Sequence, residues 1–161
     1  MKIMYTKPTL RDLSQGSRIA FARQFRLLSQ DFVSDELGIT GECKRRTMTR
    51  YEKGGRNPKD DRTKKIADIL NVNFNSIKKY DYMEFTDIIY TLMWLEELIP
   101  NYALDLSELP NVNSKYMNQI KKCISKWESM RIKRKKREIS YEDYIEWKLT
   151  YTYESEIDIY E

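Results

Sequence analysis

The chain has 161 residues, of which 40% are hydrophobic and 34% charged, with a net charge of +4 and no histidine. That length suits one ordinary domain or two small ones, and the missing histidine removes the commonest metal ligand and the commonest general base. No segment approaches the roughly 20 consecutive apolar residues that cross a membrane, Met1 to Ser14 lacks an apolar signal region, and Cys43 and Cys123 stand too far apart to suggest a disulfide framework or a metal site. With few glycines and prolines and many long charged side chains, an all-α, cytoplasmic protein is expected, with no cofactor, no metal and no catalytic residues.

In chain order, Thr9 and Asp12 stand at capping-box spacing for a short first helix. Gly16-Ser17 opens a helical stretch from Arg18 to about Leu27, with Ile19, Ala22 and Phe25 on its apolar stripe. Ser29 is placed to cap the next helix, Asp31 suits its positive end, and Phe32, Val33 and Leu37 form its buried face. Gly38 ends it, Ile39 is an apolar plug, and Thr40 is placed to cap a third helix running to about Glu52, before Gly54-Gly55. Pro58 opens a fourth, Lys59 to Leu70, and Asn73 caps a fifth, Phe74 to Tyr80. After a polar joint, Phe85, Ile88, Ile89, Leu92, Leu95 and Ile99 recur at helical spacing until Pro100. Beyond a connector at 101–113, Tyr116, Ile120, Cys123, Trp127 and Met130 step 4, 3, 4, 3 along a long helix, Ser114 to Arg137, as a heptad-like seam. Ser140 and Asp143 have capping-box spacing for a last helix, Tyr141 to Tyr153.

Residues 1–80 carry 18 Lys and Arg against 9 Asp and Glu, and residues 81–161 carry 11 against 16. A basic first half is what a phosphate-binding surface requires; the acidic second half is expected to face protein or solvent. Within the first half stand, in order, Gly16-x-Arg18-Ile19, Leu28-Ser29-Gln30, Leu37-Gly38-Ile39-Thr40, Thr47-Met48-Thr49-Arg50-Tyr51-Glu52-Lys53-Gly54, Arg56-Asn57-Pro58 and Ile66-Ala67-x-x-Leu70-x-Val72. Over roughly residues 14–80 this set resembles the lambda-repressor/Cro-like helix-turn-helix family, often called the XRE family. The resemblance implies a five-helix DNA-binding domain at 1–80, followed by a three-helix dimerisation or interaction domain at 81–161. The chain departs from the family by about four extra residues within Gly41 to Arg46. These either extend the third helix by one turn, the reading favoured here, or lengthen the loop.

On a helix over 42–53, Met48 and Tyr51 face inward against Val33, Leu37 and Ile39, while Glu42, Arg45, Arg46, Thr49 and Arg50 face out. A recognition helix presents such side chains to base edges in the major groove: arginine reads guanine, and Glu42 is placed to accept from cytosine N4 or to help start the helix. The resemblance assigns Gln30 to the DNA backbone and to support of the recognition helix. Arg26, Lys44, Lys53 and Arg56 are the remaining expected backbone contacts, which position without reading sequence.

The aromatic and aliphatic surface of the second half exceeds what three helices readily hide. A homodimer is therefore expected through Leu92, Leu95, Tyr116, Ile120, Trp127, Met130 and Trp147, together with docking of these helices onto residues 1–80, with two recognition helices about 34 Å apart on a near-palindromic site; the alternative is an intramolecular core with no dimer. The basic run Arg131 to Arg137 either complements a helix C-terminus or contacts nucleic acid. The family resemblance implies a transcriptional regulator, a repressor of a phage or mobile-element operon. The competing reading is an inhibitor, of the anti-CRISPR kind, whose residues 81–161 bind a protein partner while the first half serves autoregulation.

Overall fold

The computed structural model describes residues 7–99 and 115–152, with side chains in the second span from residue 118 onward. Among these residues there are eight helices and no strand: α1 (Gln15–Phe25), α2 (Gln30–Glu36), α3 (Lys44–Glu52), α4 (Asp60–Leu70), α5 (Phe74–Ile77), α6 (Phe85–Leu98), α7 (Lys115–Lys135) and α8 (Tyr141–Thr150). The described chain is all-α. Its helix starts follow from side chains that accept backbone amides a helix N-terminus leaves without partners. Ser14, Ser29 and Asn73 cap α1, α2 and α5, and Ser140 with Asp143 forms a complete capping box on α8.

Four local expectations are corrected. No helix forms at Thr9, because Asp12 turns forward to accept the Ser14 amide at 2.8 Å and the Ser17 hydroxyl at 2.6 Å, and the first helix starts at Gln15. These bonds, those from Ser14 foremost, hold the Asp12 carboxyl well below the usual carboxylate range. Thr40 does not cap α3: the cap position falls on Cys43, whose side chain makes no cap bond. Of the six residues 41–46, the first three form a turn around Gly41 (φ +87°) and the last three are helical. A positive φ is incompatible with a right-handed helix, so the insertion is part loop and part helix. Phe32 is also 45% exposed, since Val33, Ser34 and Leu37 occupy the inward side of the short α2.

Two apolar clusters hold the helices together. The first gathers Ile19, Phe21 and Ala22 of α1, Val33, Met48, Tyr51, Ile66, Leu70 and Ile77, but it also takes in Tyr90 and Trp94 of α6 and Ile145 and Leu149 of α8. Phe21 meets Trp94 edge-on at 5.3 Å, and the Trp94 indole N–H donates to the Ser76 carbonyl at 2.9 Å. The core therefore runs across the expected boundary at residue 80. The second cluster joins Ile89 and Met93 of α6, Cys123, Ile124 and Trp127 of α7, and Tyr144 of α8. Between the clusters lies a buried ionic group: Lys148 Nζ is 3.0 Å from Glu96 and 2.9 Å from Glu97, while the Tyr144 hydroxyl and the Trp127 indole N–H donate to Glu96.

This packing takes Trp127 out of the expected dimer seam. Trp127 is fully buried within one chain, and Leu92, Ile120, Met130 and Trp147 pack against the same cluster. Leu95 is half-buried, and the Tyr116 side chain lies outside the described residues. Part of the aromatic and aliphatic surface of the second half, Tyr90 and Trp94 of α6 and Ile145 and Leu149 of α8, is covered because these helices dock on the first five.

Candidate nucleic-acid interface

The recognition-helix candidate α3 is fixed from behind. Gly16 lies directly under its last turn: a Cβ there would stand 2.1 Å from the Tyr51 carbonyl oxygen and 2.8 Å from that of Glu52. Met48 and Tyr51 fill the inward side as expected. Beside them the buried Glu52 accepts Arg23 Nε at 2.5 Å and Nη2 at 2.9 Å, and Gln30 Nε2 at 2.8 Å. The Thr49 hydroxyl lies 3.0 Å from Gln30 Oε1 and 3.0 Å from the Arg45 carbonyl. Arg23, Glu52, Gln30 and Thr49 thus tie α1, α2 and α3 together through a two-pronged, charge-assisted pair of the strongest class. The Ser34 hydroxyl adds a bond to the Lys44 carbonyl at 2.9 Å.

The opposite side of α3 is cationic. Arg45, Arg46 and Arg50 are exposed on the helix, and Lys53 and Arg56 are exposed just after it. None of these five side chains has a hydrogen-bond or ion-pair partner among the described residues. Gly54 (φ +78°) turns the chain here, and the Arg56 amide donates to the Arg50 carbonyl at 3.3 Å. The sign of the surface therefore changes across the width of one helix, with the acid turned in and the bases turned out.

The other expected site residues fall differently. Glu42 is exposed, but it sits on the turn before α3 rather than on the helix. Thr49 is half-buried and its hydroxyl engages Gln30, so it braces the helix. Gln30 provides the expected support for α3. Lys44 pairs with Asp35 at 2.8 Å, and that hydrogen bond raises the ammonium above the ordinary lysine range. Arg26 is engaged within the chain: its guanidinium donates to the Leu70 and Asn71 carbonyls, both at 2.8 Å, and forms an ion pair with Glu146 of α8. It is a clamp between the two halves of the chain.

Sequence reasoning passed over Arg23 and the partnership of Glu52. The signal was present: Glu52 follows Met48 by four residues and shares the inward side of α3, and an acid on an apolar side requires a partner. Among the described residues no group of His, Cys, Asp or Glu is arranged to hold a metal, and no helix is long and apolar enough to cross a membrane. No protein-family model, curated protein or solved structure matches the chain.

Proposed function

We propose that this chain is a sequence-specific duplex DNA-binding regulator that inserts α3 into the major groove. The observation that carries the reading is the set of five cations without a partner among the described residues, Arg45, Arg46, Arg50, Lys53 and Arg56, on and just after a helix braced by buried hydrogen bonds. Like charges crowded on a rigid surface repel one another until an external anion neutralises them. Arg45, Arg46 and Arg50 are the base-edge readers, each guanidinium matching guanine O6 and N7. Lys53 and Arg56 take phosphates and set the register. The XRE resemblance supports a repressor of a phage or mobile-element operon.

The nine residues of α3 span about 13 Å, or roughly four base pairs. So short a word recurs too often to specify a site, which favours two copies on a palindrome. Trp127 is buried inside one chain and is not available for dimer contacts.

The test is to select ligands from a random duplex library, then measure anisotropy with the enriched and a scrambled duplex. Expected is a preference on the order of 10³ or more for the enriched duplex, lost in Arg45→Ala/Arg46→Ala protein. Equal, steeply salt-dependent binding to both duplexes would refute sequence reading. Failure to bind either would favour a protein partner at residues 81–161.

A further inference from the structure

We infer that the groove between α7 and the α6–α8 pair binds a small phosphate monoester. The groove has a volume of about 360 Å³, within the range of small-molecule sites. Arg131, Arg134 and Lys135 of α7 line it, facing Glu96 of α6 and Tyr144 of α8. The charges inside do not cancel. Glu96 and Glu97 share the buried Lys148, at 3.0 and 2.9 Å, and Arg131 lies 2.7 Å from Glu128 and 3.5 Å from Glu96. The lining carries three cations against two acids, and Arg134 and Lys135 have no partner among the described residues, so two cations stand on the groove wall where a phosphoryl group would meet them. Arg134 supplies a planar fork and Lys135 a point charge, a pairing suited to oxygens presented in several directions.

Beside the cations, the exposed Ile132 offers an aliphatic surface for an organic body, while Tyr144 is buried and closes the floor of the groove. The Tyr144 ring is fixed by its hydroxyl bond to Glu96 at 2.9 Å and by stacking on Trp147 at 6.3 Å. The site involves no residue of α3 and stands whether or not that helix reads DNA.

The test is calorimetric titration of the full chain with phenyl phosphate, inorganic phosphate and phenol. Expected is saturable binding of phenyl phosphate at one site, weaker binding of inorganic phosphate, and none of phenol. Arg134→Ala/Lys135→Ala should weaken phenyl phosphate by about tenfold or more. Lys133→Ala/Lys136→Ala, which removes two exposed cations of the same segment that do not line the groove, should stay within about twofold. Equal losses in the two variants would reduce the site to a diffuse basic surface and overturn the inference. So would the absence of saturation by phenyl phosphate. Weakened duplex binding in the groove variant, without any phenyl phosphate binding, would reassign these cations to a nucleic-acid backbone.

Discussion

Substituting Gly16 by alanine tests whether the close approach of α1 to α3 sets the position of the reading helix. The new methyl would stand 2.1 Å from the Tyr51 carbonyl oxygen and 2.8 Å from that of Glu52. Both neighbours are backbone, so relief means separating α1 from the last turn of α3 by the order of 1 Å. Alanine gains up to about 1 kcal/mol from helix propensity and a more restricted unfolded chain. Overpacking costs about 1–3 kcal/mol, and a backbone clash belongs at the upper end, leaving a net loss of about 1–2 kcal/mol. With a urea slope of about 2 kcal/mol/M, the midpoint should fall by about 0.5–1 M. Duplex affinity should fall further than unfolding explains, because Arg50 rides on the displaced turn and hydrogen bonds tolerate only a few tenths of an ångström. Gly55→Ala is the control: its nearest neighbour is the Arg50 carbonyl oxygen at 3.8 Å, so its midpoint should stay within about 0.25 M. A Gly16→Ala protein as stable as the parent, with unchanged affinity, would refute the reasoning.

Three further outcomes are expected. Arg56→Ala should reduce the salt slope of duplex binding by about 0.9, whereas Arg26→Ala, which removes the clamp to Glu146, should lower the urea midpoint and leave that slope unchanged; a reduced slope in Arg26→Ala would restore it as a phosphate contact. Lys148→Met should leave the largely buried Glu97 without its cation, costing about 3–5 kcal/mol and lowering the melting temperature on the order of 10 °C; circular dichroism melts showing a drop of only a degree or two would mean that water already reaches the group. Because the Asp12 carboxyl is held below its ordinary range by Ser14 and Ser17, its contribution is present at neutral pH and lost as pH falls below about 4 toward the folded-state value. Urea titrations should therefore show the parent losing more stability between about pH 4 and pH 2 than Asp12→Asn, and parallel losses would rule Asp12 out.

What could be read in the sequence was local. Ser29, Asn73 and Ser140 each stand immediately before a helix because a short oxygen-bearing side chain at that position can accept a nearby amide. Met48 and Tyr51 pointed inward because helical spacing alone puts them on the side of Val33 and Leu37. What could not be read depended on distant partners. Nothing near Arg26 distinguishes a phosphate-seeking arginine from one already engaged, and its acid lies 120 residues away at Glu146. The α7 seam has the same spacing whether its partner is a second copy or this chain's own α6 and α8. Asp12 had two serines within reach and chose the forward bonds, which no spacing rule distinguishes from a cap at Thr9.

The arginines of the first half divide by what faces them, and that division argues for an external anion. Arg18 is buried over the Tyr80 ring at 3.8 Å and donates to the Ser76 carbonyl. Arg23 is matched by Glu52, and Arg26 by Glu146 from the acidic second half. Each inward guanidinium therefore has an acceptor inside the chain. Arg45, Arg46 and Arg50 have none among the described residues, although the second half carries 16 acidic residues against 11 basic ones. An acid from that half is used where the fold needs one, at Arg26, and among the described residues none is brought to α3. Binding an anion there breaks no ion pair found among the described residues, so the electrostatic attraction remains available for association. Phosphate groups along a duplex supply that anion at a density matched by five cations within 12 residues.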